Sequence, residues 1–138
     1  MAYKTDGGKL EQYTRFVDTV TSPATKDLQY WKESLDILEE QGIQPQRLMT
    51  AAVGMCAESG EFADICKKLS WHGKEFDEET RTHLLKEIGD VCWYLSQAII
   101  ALDTTWEEVL DMNIAKLSDR YPGGFDALRS ASRKEGDI

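Results

Sequence analysis

Basic residues are scarce in this chain. Lys and Arg number 16 against 25 Asp and Glu, for a formal net charge of −9. A nucleic-acid binder should carry a basic stripe, and a protein drawn to anionic lipid a basic cluster, so the balance argues against both partners. Long apolar runs are missing as well. The longest, Val91–Leu102, is interrupted by Ser96 and Gln97 and falls short of the roughly 20 residues that span a bilayer. Cysteine is limited to three residues without CxxC spacing, which argues against a disulfide framework or a zinc site. Cys56, Cys66 and Cys92 lie in apolar helical contexts, where cysteine behaves as a small hydrophobe. Residues Met1–Gly8 are polar and lack the apolar h-region of a signal peptide. A reducing cytoplasm is the expected location.

Proline occurs only at positions 23, 45 and 122, and no hairpin signal separates the last two. What the chain does have is helical periodicity. Leu10, Tyr13, Phe16, Val17 and Val20 mark one face of a helix over Lys9–Val20, stopped by Thr21-Ser22-Pro23. A second helix is expected over Thr25–Gln41, with Leu28, Trp31, Leu35 and Leu38 on one side and Gly42 just past its end. Pro45 opens a third, where a missing N–H does no harm, running to about Leu69. Asp77 caps a fourth, which continues to Leu102. Thr105 and Glu108 have capping-box spacing and start a fifth, to about Arg120. The expectation is one all-α domain over 1–138, a bundle of four to five helices, with loose ends at 1–8 and about 130–138.

Within this pattern, acids stand where acids are unusual. From Leu48 to Cys66 the only charges are Glu58, Glu61 and Asp64; from Glu87 to Leu102 they are Glu87 and Asp90. Spacing of three places Glu58 with Glu61, and Glu87 with Asp90, on one face of their helices. Solvated helix faces normally carry many charges, whereas these two stretches carry few. Four facing carboxylates call for a cation, and an all-oxygen ligand set selects Mg²⁺ or Mn²⁺ over zinc. Gly60 and Gly89 sit inside the two acid pairs. Each costs its helix about 1 kcal/mol relative to Ala, which suggests close helix approach or room made for a ligand. His83 lies four residues before Glu87 on the same face; hard-metal sites prefer oxygen, so it reads as a surface or capping histidine.

The two acid pairs match a known pattern. Glu58-Ser59-Gly60-Glu61 followed by Glu87-Ile88-Gly89-Asp90 resembles the ExxE…ExxD signature of the MazG-like all-α nucleoside triphosphate pyrophosphohydrolases. The likeness continues through LLKEIGDVCWYL at 84–95 and through Asn113, Lys116, Leu117, Arg120, Tyr121 and Pro122, and covers roughly residues 48–122. ExxE alone is common. Both halves on consecutive helices, with the NxxKLxxRYP ending, make a specific combination.

The resemblance implies Mg²⁺-dependent hydrolysis of a (deoxy)nucleoside triphosphate between the α- and β-phosphates. Glu58, Glu61, Glu87 and Asp90 would hold the metal, with Mn²⁺ as an alternative ion. Glu61 is the candidate for orienting or deprotonating the water. Asn113, Lys116, Arg120 and Tyr121 would contact the phosphates, with Lys67 and Tyr94 as further substrate residues. Lys67 and Lys68 also suit a helix C-terminus simply as cations. Compact relatives assemble, which implies a homodimer or homotetramer. Two alternatives stand beside this one. The same scaffold could act on an unusual nucleotide, such as phosphoribosyl-ATP or an alarmone, or the carboxylates could hold a structural cation in a non-enzymatic helical module.

Overall fold

The computed structural model describes residues 7–131, which contain seven α-helices and no strand. They are α1 (Lys9–Val20), α2 (Pro23–Lys26), α3 (Leu28–Glu40), α4 (Pro45–Trp71), α5 (Glu78–Ala101), α6 (Trp106–Arg120) and α7 (Ala127–Ala131). The all-α expectation is met. Most of the expected loose ends, at 1–6 and 132–138, lie outside the described residues. Two compact units divide the chain, one ending at Pro45 and the other beginning at Gln46.

In the first unit, the helix expected over Thr25–Gln41 is two. Asp27 adopts an extended backbone, and its carboxylate accepts from the N–H groups of Gln29 and Tyr30 at 2.8 and 3.4 Å. Such a side chain starts a helix and cannot lie inside one. Residues before it form only the single turn α2, opened by Pro23. The other end of α3 is as expected: Gly42 takes φ +86°. The N–H groups of Gly42 and Ile43 return to the carbonyls of Glu39 and Leu38, a Schellman closure.

In the second unit, α4 runs two residues past the expected end at Leu69, to Trp71. Gly73, at φ +67°, then turns the chain, and the Lys74 N–H bonds the Lys68 carbonyl. Asp77 caps α5 through the Thr80 N–H at 2.8 Å. At the far end Asp103 takes the left-handed position (φ 49°) that glycine occupies after α3. The Asp103 and Thr104 N–H groups close on Ile100 and Ile99. The capping box of α6 is half formed. Thr105 Oγ1 accepts from the Glu108 N–H at 3.1 Å, while the Glu108 carboxylate takes the hydroxyl of Thr104 rather than the Thr105 N–H. The short α7, capped by Asp126 through the N–H groups of Leu128 and Arg129, goes beyond the expected helices.

Helices α4 and α5 form an antiparallel pair with a readable register. Arg47 near the start of α4 donates to Gln97 Oε1 near the end of α5 at 2.7 Å. One to two turns on, the Tyr94 ring lies against Gly54 so closely that a Cβ on Gly54 would sit 2.1 Å from it. Around these contacts Ala51, Ile65, Ile99 and Ala101 are buried. The rest of the apolar inventory is more open: Val53 is 66% exposed and Trp93 54%. Cys56 and Cys92 are exposed too, and only Cys66 is partly covered. The apolar setting of these cysteines along the sequence therefore does not translate into burial within one chain.

Candidate active site

Stepping one turn along each helix from the Gly54–Tyr94 contact brings Glu58 level with Asp90, and three residues more bring Glu61 level with Glu87. The side chains follow this register. Glu58, Glu61 and Glu87 each offer a carboxylate oxygen within 4.8 Å of the others. Asp90 is the fourth member electrostatically: it is among the charges that act on Glu58. The Glu58 carboxyl is raised above its ordinary pKa, first by desolvation and then by repulsion from Glu61, Asp90 and Glu87. Mutual repulsion of this kind is what a divalent cation would relieve. The donor set is all oxygen, so the residues present fit Mg²⁺ or Mn²⁺ and suit zinc poorly.

Burial differs within the cluster. Glu87 is 6% exposed, whereas Glu61 and Asp90 are exposed and Glu58 is half-buried. A buried carboxylate needs partners, and Glu87 has one in His83, whose Nε2 stands 2.9 Å from Glu87 Oε1. His83 thus bonds directly to one of the clustered acids. The i, i+4 spacing was available as a signal; hydropathy could not say that its partner is buried.

Beside the cluster lies a cavity of about 390 Å³ lined by Glu61, Asp64, Ile65, Lys68 and His83, together with Ala57 and Gly60. Its walls come from α4 and α5 alone. Asp64 is clamped by Lys67 and Lys68, and hydrogen bonds from these two lysines hold its carboxyl down to about 2. Lys67, expected to face substrate, is therefore engaged with Asp64. Gly60 and Gly89 show open space where a Cβ would go. The close helix approach sought at these two glycines occurs at Gly54 instead.

The remaining expected residues lie on and after α6. Asn113 and Lys116 are exposed; Arg120 and Tyr121 are half-buried at its C-terminal end. The Arg120 guanidinium sits 5.9 Å from the centroid of the Tyr121 ring, which in turn packs against Phe125 at 5.8 Å. Tyr94 makes an edge-on contact with Trp93 at 4.8 Å in addition to covering Gly54.

Comparison with known proteins bears on the same helices. The model of the MazG nucleotide pyrophosphohydrolase domain matches residues 46–125, which include both acid pairs and all of α6. The chain is also similar to the Gene 37 protein of Mycobacterium phage L5, at 34% identity over 79 residues, covering 56% of this chain and 68% of the phage protein. No solved structure matches. With the family pattern spanning more than half of the chain and its acidic residues gathered in space, the protein belongs to the MazG nucleotide pyrophosphohydrolase family.

Proposed function

We propose that this protein hydrolyses (deoxy)nucleoside triphosphates between the α- and β-phosphates, giving the monophosphate and pyrophosphate with the help of Mg²⁺. The observation that carries the reading is the convergence of Glu58, Glu61 and Glu87 within 4.8 Å across two helices, inside a nucleotide pyrophosphohydrolase domain. Glu58, Glu61, Glu87 and Asp90 are the residues to hold the metal. When bound, Mg²⁺ supplies charge neutralisation and Lewis acidity toward phosphate oxygens. Glu61 is exposed on the cavity side, and in this reading it orients the attacking water and accepts its proton. No protein nucleophile is required.

The phosphates need cations beyond the metal. Lys116 and Arg120 stand i, i+4 on α6, with Asn113 one turn earlier. Lys acts on phosphate as a point charge, while Arg forks onto two oxygens. Tyr121 adds a hydroxyl and a ring beneath Arg120. Tyr94 borders the substrate from one turn beyond Asp90, and Lys67 reaches it only by leaving Asp64. The half-open apolar faces of α4 and α5, with Val53, Leu85, Ile88 and Trp93, favour a homodimer or homotetramer, and the free cysteines suit a reducing cytoplasm.

The test is product analysis with a panel of common ribo- and deoxyribonucleoside triphosphates, with and without Mg²⁺, beside Glu61→Gln. Metal-dependent formation of monophosphate and pyrophosphate, lost in the variant, is the expected result. Orthophosphate as first product would overturn cleavage at the α–β bond.

A further inference from the structure

Glu87 is the most enclosed of the clustered carboxylates, and burial makes its orientation matter. An ionised carboxylate has several lone pairs to satisfy, and a buried one left unpaired is costly. His83, one turn earlier on α5, meets Glu87 Oε1 with Nε2 at 2.9 Å. A carboxylate can only accept, so the ring nitrogen donates. The imidazole is thereby committed: its Nε2 proton is spent on Glu87, and that nitrogen has no lone pair left for a metal. One hydrogen bond leaves Glu87 with further lone pairs, and a Glu87 carboxylate oxygen lies within 4.8 Å of oxygens from Glu58 and Glu61. The other face of His83 opens to solvent and to the cavity that Glu61 and Lys68 also line.

We propose that His83 is a positioning residue for the cation site, holding the buried Glu87 carboxylate in its ligating orientation through the Nε2–H···Oε1 hydrogen bond. The proposal rests on the reading of Glu58, Glu61 and Glu87 as metal ligands. It adds a residue outside the ExxE…ExxD pattern, four positions before its second half. Hydrogen bonds to metal ligands fix their orientation, and their loss typically lowers metal affinity by about 10- to 100-fold. An ordinary i, i+4 surface pair would stabilise α5 by a small amount and leave metal affinity untouched.

The test is Mn²⁺ binding to the full-length protein without nucleotide, followed by the loss of the free-ion EPR signal, with circular dichroism to confirm helicity. Wild type is compared with His83→Leu, His83→Gln and Glu58→Gln. His83→Leu should weaken Mn²⁺ binding by about tenfold or more, and His83→Gln, whose amide N–H replaces the lost donor, should recover most of it. Wild-type affinity in His83→Leu overturns the role of His83, as does an equal loss in both histidine variants; if Glu58→Gln still abolishes binding, the metal-site reading survives. A wild-type protein that binds no Mn²⁺ overturns the metal site and the role of His83 together.

Discussion

The Tyr94 ring fills the place where a side chain on Gly54 would project. This contact sets the register of α4 against α5, since Glu58 and Asp90 lie one turn beyond it on the two helices. A methyl group at position 54 should therefore do more than crowd a core. Gly54→Ala gains about 1 kcal/mol of helix propensity, but the overpacked ring costs roughly 1–3 kcal/mol. Net destabilisation in urea unfolding is the expected outcome, with Mn²⁺ affinity falling in parallel. Combining Gly54→Ala with Tyr94→Ala should restore part of the stability, a coupling that a double-mutant cycle reads directly. Additive losses would show that the ring yields freely.

Metal and carboxylates should trade off in stability. Without a cation, Glu58 is held in repulsion by Glu61, Asp90 and Glu87. Adding Mg²⁺ to EDTA-treated protein should raise the melting temperature, with a stabilisation near 3 kcal/mol at a hundredfold excess over Kd. Glu58→Gln should melt higher than wild type in EDTA and gain little from Mg²⁺. A variant that melts lower in EDTA and still responds fully to the ion would contradict this arrangement.

Much of this organisation is legible in the sequence, and the exceptions have physical causes. The ends of α1 and α5 and the caps at Asp77 and Thr105 follow from side-chain chemistry within a few residues. The acid pairs stand out because Leu48–Cys66 and Glu87–Leu102 hold no other charge but Asp64. Asp27 stands just before the first apolar residue of its helix, Leu28, so a cap there is readable, but Thr25 and Lys26 also tolerate a helix and the boundary is easily drawn two residues early. Gly54 is one of several helical glycines, and only packing separates its buried contact with Tyr94 from the open surroundings of Gly60 and Gly89. His83 is likewise undistinguished until its partner is known to be buried.

The clamp on Asp64 gives an acid-side prediction. Hydrogen bonds from Lys67 and then Lys68 hold its folded carboxyl at about 2, below the ordinary 3.8. A depressed carboxylate stabilises the fold above its unfolded pKa, and that contribution fades as pH falls from about 4 toward 2. Asp64→Asn should remove this part of the acid dependence, so that variant and wild-type melting curves converge at low pH and separate near neutrality. The side chains are well exposed, so the separation is small and should shrink further in high salt. Equal spacing of the two curves across the whole range would mean that the pair does not form in solution.

On α6 the two candidate phosphate cations should differ in what can replace them. Lys116 is exposed and in the proposed role would act as a point charge, so Lys116→Arg should keep most of the activity while Lys116→Ala raises KM. Arg120 is held differently, its guanidinium set over the Tyr121 ring at 5.9 Å. A planar fork on an aromatic face is not reproduced by an ammonium group. Arg120→Lys should therefore lose nearly as much kcat/KM as Arg120→Ala, about 10- to 100-fold if a charged hydrogen bond to phosphate is lost. Tyr121→Phe keeps the ring and should be mild, whereas Tyr121→Ala should approach the arginine variants. Steady-state kinetics of pyrophosphate release on the preferred nucleotide separates these cases. Full activity in Arg120→Lys would show that Arg120 contributes only charge, and would remove the support that the ring lends to a phosphate fork.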